Sequence, residues 1–304
     1  MPSYSGIVGE DVPRLDRYVA EYIRLLNRSQ IKSRALDIRL NGKPVKRSRP
    51  VKAGDLLEFS WAEAPPVDIL PEPIPLEILY EDSRVVVVNK AHGMVVHPGA
   101  GNPGGTLANA LLYRMLARDG TGRPRPGLRP GIVHRLDRDT SGVIIAAYDD
   151  EALVFLADQF KARTVRKSYG ALVRGVPGDS RGVIETRILR DSRDRKRFTV
   201  SAEKGRTALT LYRVIRSWGA YSLVLLRPRT GRTHQLRVHM RHLGHPILGD
   251  PLYGSPDPAF PGAGLMLHAK TLSLRLPGEA EPRSFSTPLP GRFRDILERF
   301  DRMA

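Results

Sequence analysis

Gly131-Ile132-Val133-His134-Arg135-Leu136-Asp137-Arg138-Asp139-Thr140-Ser141-Gly142 runs directly into Val143-Ile144-Ile145-Ala146-Ala147. A short apolar run enters a turn dense with charge, and a longer apolar run leaves it as a buried strand. Loops at strand ends are where reactive side chains commonly stand, because a rigid scaffold holds them. Asp, Thr and Ser also stabilise plain turns through local hydrogen bonds, so the segment by itself fits a structural turn as well as a reactive one.

On either side the chain mixes strands and helices. Residues 85–89 and 94–96 read as short strands, and residues 106–116 as an apolar helix capped by Thr106. A helix is expected over 149–160, and strands over 167–173, 182–188, 209–215 and 221–226. Strands in runs with few helices between them predict an α+β fold on a largely antiparallel sheet, not a doubly wound one.

Residues 64–75 carry Pro65, Pro66, Pro71, Pro73 and Pro75, which favour extended backbone and read as a semi-rigid linker. The expected division is residues 1–63, the linker 64–75, and a larger domain over 76–304. In the first block, residues 12–26 place Leu15, Val19, Tyr22, Ile23 and Leu26 at helical spacing, and a second helix is expected from Gln30. A strand over 37–40, the Asn41-Gly42 turn, a return strand over 43–46 and a strand over 56–60 complete it.

The 304 residues carry 49 Lys and Arg against 32 Asp and Glu, a formal charge of +17. That exceeds the magnitude of roughly 2–8 that solubility asks of a small domain. It points to a polyanionic partner, nucleic acid before an anionic membrane surface. Residues 14–52 alone hold 12 Lys and Arg against three acids, a surplus of +9 that suits phosphate tracking. The sequence has no cysteine, which excludes disulfides, thiolate catalysis and Cys-bound zinc. No apolar run approaches the length of a membrane span, and the first residues do not read as a signal peptide, so the cytoplasm is the expected compartment.

Several short patterns do not carry the chemistry they spell. Gly99-Ala100-Gly101-Asn102-Pro103-Gly104 matches a dinucleotide fingerprint, but the segment after the expected helix is a Gly, Pro and Arg loop instead of a strand ending in an acid. An NAD-linked oxidoreductase built on it is the weaker alternative. Gly178-Asp179-Ser180-Arg181-Gly182 spells a nucleophile elbow but precedes a strand, and is expected to be a hairpin loop. Asp137-Arg138-Asp139 opens like a calcium loop whose twelfth position is Tyr148 in place of Glu. His239, His242 and His245 lack an HExxH context and read as an RNA-facing helix.

The segment from Gly131 to Gly142 resembles the catalytic motif of the RluA/RluD-type pseudouridine synthases. Further stretches resemble that family in the same order: Val88-Asn89-Lys90 with Val95-Val96-His97-Pro98, then Lys167-Ser168-Tyr169-Gly170, Thr230-Gly231-Arg232-Thr233-His234-Gln235-Leu236-Arg237, and Gly244-His245-Pro246-Ile247-Leu248-Gly249-Asp250. Arg14-Leu15-Asp16, Arg28-Ser29-Gln30-Ile31, Leu40-Asn41-Gly42-Lys43 and Ala53-Gly54-Asp55 resemble an S4-type RNA-binding domain. Ala91 stands where the family usually has Pro, and Leu276-Pro277 where His-Pro is common.

The resemblance implies uridine isomerisation in structured RNA without metal or cofactor, on ribosomal RNA of the large subunit before tRNA, with free rRNA and pre-ribosomal particles both left open as substrate. A monomer is expected because nothing in the sequence signals an interface. It implies that Asp137 attacks the nucleotide or assists departure of the base, that Arg237 is its cationic partner, and that Tyr169 stacks on the uracil and helps remove the C5 proton. Arg135 would fill the space left by the flipped base. His134 would support the loop or the RNA backbone. Arg28, Lys32, Arg34 and Lys43 in the first block, and Arg232 and His234 in the second, are the expected RNA contacts. Arg193, Arg195, Lys196, Arg197, Lys204 and Arg206 form a further phosphate-contact candidate. The alternative from another class is a non-catalytic RNA-binding protein, which would be marked by loss of Asp137, Tyr169 or Arg237; all three are present.

Overall fold

A computed structural model describes residues 2–23, 25–26, 31–32, 35–62, 69–99, 101–120 and 130–303. The chain divides into two units, Met1–Asp68 and Ile69–Ala304.

In the first unit, β1 (Ser3–Ile7), β2 (Ala35–Leu40), β3 (Lys43–Pro44) and β4 (Leu56–Trp61) form an antiparallel sheet in the order β1-β4-β2-β3. Asn41 and Gly42 both take positive φ, 53° and 76°, which is what a two-residue hairpin joining β2 to β3 requires. Helical structure covers α1 (Leu15–Tyr18) and continues as a π-turn over Val19–Ile23, shorter than the expected 12–26. The reason is visible at the start: Val12 exchanges hydrogen bonds with Val51, so the backbone there is extended. The first helical N–H groups are then met by carbonyls of Arg49 and Arg47. Leu15, Val19, Val51, Leu57 and Phe59 close the core. The return strand is two residues long, not four, and most of the second helix expected from Gln30 lies outside the described residues.

The second unit contains β5 (Glu77–Glu81), β6 (Val85–Lys90), α2 (Leu107–Asp119), β7 (Gly131–Ile132), β8 (Ser141–Ala147), α3 (Asp150–Ala162), β9 (Arg166–Arg174) and β10 (Arg181–Arg190). It continues with β11 (Phe198–Ser201), β12 (Arg206–Trp218), β13 (Tyr221–Pro228), α4 (Gln235–His242), β14 (Leu267–Leu274), β15 (Arg283–Ser286) and α5 (Gly291–Met303). The strands form one sheet, β11-β10-β12-β13-β9-β14-β8-β6-β5, with β15 beside β14 and β7 beside β8. Only the β14–β8 pairing is parallel among the described residues. The α+β expectation of a mostly antiparallel sheet with flanking helices matches this unit.

Alternation explains how the sheet is covered. Val85 and Val87 of β6 and Val143 and Ile145 of β8 pack with Ala152 and Leu156 of α3. Val86, Val88, Ile144 and Ala146 point the other way, onto Leu107 and Leu111 of α2. Both faces are therefore buried, which is why these strands read as continuous apolar runs. Farther along, β9 and β13 lie with Leu236 and Met240 of α4 and with Phe293, Ile296 and Phe300 of α5 in another cluster.

Four expectations need correction. Residues 94–96 form no strand: the carbonyls of Val95 and Val96 accept the first N–H groups of α2, at 2.8 and 3.1 Å, and so are not free for a ladder. The 175–180 loop is not a hairpin, because β9 and β10 are separated in the sheet by β13 and β12. The helix expected to face RNA is largely core, since Gln235 to Met240 of α4 are all buried. His239 bonds Thr210 and Thr186 there, with its pKa pushed down to about 4 by burial. Residues 69–75, taken as linker, belong to the second unit. Glu72 accepts the Gly105 N–H at 3.0 Å, and its own N–H reaches the Asn109 carbonyl at 3.1 Å. Residues 63–68 lie outside the described residues.

Candidate active site

The site lies where the sheet forks. One edge of β8 pairs fully with β6; on the other, β14 joins only at Ser141 and Gly142, and β7 only at Ala146 and Ala147. Residues 133–140 fill the gap. Ile145 N–H donates to His134 Nε2 at 3.1 Å, so the imidazole replaces a missing strand carbonyl. His134 stacks on Phe160 at 4.7 Å, and burial, reinforced by Lys167, pushes its pKa down to about 3. The ring stays neutral and Nε2 stays an acceptor. Thr140 N–H closes the turn on the Asp137 carbonyl at 3.1 Å.

Two further features fix this loop. Lys90, fully buried at the end of β6, donates through Nζ to the carbonyls of Ala91, Met94 and Arg138, at 2.9, 2.8 and 3.0 Å. Burial pushes its pKa down to about 8, opposed by the charges of Asp139 and Asp137. Gly142, with φ of 116°, lies so close to β14 that a Cβ would stand 2.2 Å from the Ala269 carbonyl oxygen. Behind the loop, Ser141 Oγ lies 2.9 Å from His268 Nδ1 and accepts from Arg292 Nη2 at 3.3 Å.

Asp137 meets Arg237 from the opposite side. Arg237 Nη1 donates to Asp137 Oδ2 at 3.2 Å, while Nε and Nη2 grip Asp250 as a fork at 2.8 and 2.7 Å. Asp250 is held further by the N–H groups of Leu252 and Tyr253, at 2.9 and 3.0 Å. Burial opposes the Arg237 charge, but the hydrogen bonds and charges of Asp250 and then Asp137 outweigh it and raise its pKa. The Arg237 side chain is 6% exposed and that of Asp250 0%, whereas Asp137 keeps 23%. One carboxylate anchors the arginine and the other is presented.

Asp137 opens on a cavity of about 480 Å³ lined also by Leu136, Tyr169, His234 and Leu267. Among the described residues Asp137 is its one acidic lining residue. Tyr169 of β9 is half-buried there, its phenol pKa raised by burial and by the Asp137 charge. His234 has positive φ at the start of α4, with Nδ1 2.8 Å from Tyr253 Oη and Nε2 3.9 Å from Asp137 Oδ2. Burial lowers its pKa, against the pull of Asp137.

Asp137, Tyr169, Arg237, His134, Arg135, Arg232 and His234 therefore share one cavity. Arg135 is exposed, and Arg232 is half-buried with Nε on the Thr207 carbonyl at 3.0 Å. Lys32 and Lys43 are exposed in the first unit, and Arg28 and Arg34 lie outside the described residues. Arg193, Arg195, Lys196 and Arg197 occupy the β10–β11 turn, where Arg197 pairs with Asp194 at 3.3 Å. Among the described residues no cluster of side chains fits a metal ion. Lys90, Asp250, Ser141, His268 and Arg292 were not singled out from sequence. Lys90 and Asp250 lie within the stretches that resemble the family, but their burial depends on partners distant in sequence.

A model of the RNA pseudouridylate synthase family matches residues 84–242. Across 96% of this chain and 91% of the other, the sequence is 43% identical to ribosomal large subunit pseudouridine synthase D of Borreliella burgdorferi. It is 40% identical to the protein of the same name from Xylella fastidiosa, over 91% and 86%. The solved structure of human RNA pseudouridylate synthase domain containing 4 superposes with a TM-score of 0.61 at 30% identity, covering 74% of this chain and 93% of that one. The chain belongs to the RNA pseudouridylate synthase family, of the RluA/RluD type, and is a pseudouridine synthase.

Proposed function

We propose that the chain converts uridine to pseudouridine in large-subunit ribosomal RNA, with Asp137 as the essential carboxylate. The observation that carries this reading is an acidic side chain, the one among the described residues lining the cavity, held by a buried arginine that is itself anchored by a second acid. In the isomerisation the N1–C1′ bond breaks, the uracil turns while held, C5 bonds C1′, and the C5 proton is lost as N1 gains one. Asp137 must be ionised to attack the nucleotide or assist departure of the base, and Arg237 holds its position through the Nη1 hydrogen bond at 3.2 Å. Tyr169 stacks on the uracil, an interaction worth about 1–3 kcal/mol per base. Its raised pKa keeps it a neutral phenol, which supports stacking over phenolate chemistry at C5.

Arg135 fills the space left when the base flips, and His134 acts by holding the loop. Residues 1–63 serve as an S4-like RNA-binding domain through Arg28, Lys32, Arg34 and Lys43, ahead of the catalytic unit that begins at Ile69. Arg232 and His234 contact the RNA beside the target nucleotide. The enzyme acts as a cytoplasmic monomer without metal or cofactor, on free rRNA or pre-ribosomal particles. Incubation with naked large-subunit rRNA, followed by mapping of pseudouridine, should show product at defined uridines. Absence of product on rRNA, pre-ribosomal particles and tRNA alike would overturn the reading.

A further inference from the structure

The cavity that holds Asp137 has a second, cationic end. β9 and β13 run antiparallel with Tyr169 opposite Leu226, so the start of β9 lies beside the end of β13. The turn before β9 and the turn after β13 therefore reach the same end of the sheet, where Lys161, Arg163, Arg229 and Arg232 line the cavity. Arg206, the first residue of β12, stands at this corner too: its neighbour Thr207 offers the carbonyl that anchors Arg232 Nε. After burial, the charges of Arg163 and Arg206 are what lower the Arg232 pKa. Among the described residues no carboxylate pairs with Arg163, Arg206, Arg229 or Arg232.

Folding alone disfavours such a cluster, because like charges repel and Arg232 has given up part of its water. With Nε committed to a carbonyl, Nη1 and Nη2 of Arg232 carry no hydrogen bond among the described residues. A guanidinium anchored at one edge and open at the other suits two oxygens of a phosphate. The opposite end of the cavity has the character a nucleobase and ribose need: Tyr169, Leu136 and Leu267 beside one carboxylate.

We propose that this corner is a phosphodiester seat, in which Arg232 and Arg163, backed by Arg206 and Arg229, grip one backbone phosphate next to the flipped uridine. The proposal rests on the cavity being the target-nucleotide site. Phosphate contacts fix register without reading sequence, so the seat sets where the strand lies relative to Asp137.

Two experiments test it. The first needs neither RNA nor turnover: melting of the full chain with inorganic phosphate. The wild type should gain several degrees at phosphate concentrations of about tens of millimolar, by mass action on the folded state. The Arg163→Gln/Arg232→Gln variant should gain less than about a third of that; equal gains overturn the seat. The second uses RNAs carrying one neutral methylphosphonate link, placed in turn at each position around the modified uridine. One link should raise KM about tenfold in the wild type with kcat within about threefold, as expected for a lost positioning contact. The same link should raise KM no further in Arg232→Gln or Arg163→Gln. Additive effects at every position, or no sensitive position, would overturn the proposal. If the all-phosphate RNA is not isomerised, the functional reading fails, and the phosphate melting result still decides the seat.

Discussion

Replacing Asp250 by asparagine separates the roles of the two carboxylates that share Arg237. Asp250 is wholly buried and accepts four hydrogen bonds, two from Arg237 and one each from the N–H groups of Leu252 and Tyr253. Asparagine keeps the three on Oδ1 and turns its amide against Arg237 Nε, so one bond becomes a donor facing a donor. The buried cation also loses its nearest charge. Removing one partner of a buried ion pair costs about 3–5 kcal/mol. The lower end applies, because Asp137 remains 3.2 Å from Arg237. About 3 kcal/mol corresponds to a fall in Tm of about 6–12 °C for a domain of this size. Asp137→Asn changes a partly exposed group with a single bond to Arg237 and should shift the melting point by no more than about 2 °C. Thermal melts of both variants in one buffer, with steady-state activity alongside, check the difference. If Asp250→Asn melts with the wild type, or Asp137→Asn falls as far as Asp250→Asn, the division into anchor and presented carboxylate is wrong.

Lys90→Met gives a signature in pH. Because burial lowers Lys90 from 10.5 to about 8, the unfolded chain holds its proton more readily between those values. Wild-type stability should therefore rise through that window relative to the variant, by about 3 kcal/mol in total; denaturant titrations at pH 7 and 10 showing a constant difference would refute it. Gly142→Ala drives a methyl into the Ala269 carbonyl from a positive φ, and should remove about 4 kcal/mol or more of stability, seen as a lower denaturant midpoint or loss of soluble protein. Ser141→Ala deprives His268 and Arg292 of their common hydroxyl. A stability loss of about 1–3 kcal/mol is expected, with kcat reduced and KM steady if the pair supports the Asp137 loop; unchanged kcat speaks for packing alone.

Local chemistry was readable in this sequence where a short window decides it. The buried runs at 85–88 and 143–147, the Asn41-Gly42 turn and the Thr106 cap follow from side-chain pattern and backbone preference, and they stand in the structure. What escaped depends on distant partners. A lysine closing a strand reads as solvated, yet Lys90 is buried because carbonyls from two separate loops converge on it. Asp250 became legible as an anchor only when the fold returned it to Arg237. The C-terminal helix carries Phe293, Ile296 and Phe300 at helical spacing after Pro290, a pattern that a short window does contain. Strand order was beyond any local window, since residues 166–174 pair with both 221–228 and 267–274.

The central claim is tested most directly by mapping pseudouridine, site by site, in large-subunit rRNA treated with the wild type and with Asp137→Asn. Product is expected with the wild type and none above background with the variant, which should still melt within about 2 °C of the wild type and bind the RNA. Product from Asp137→Asn at the wild-type rate would contradict the assignment of Asp137.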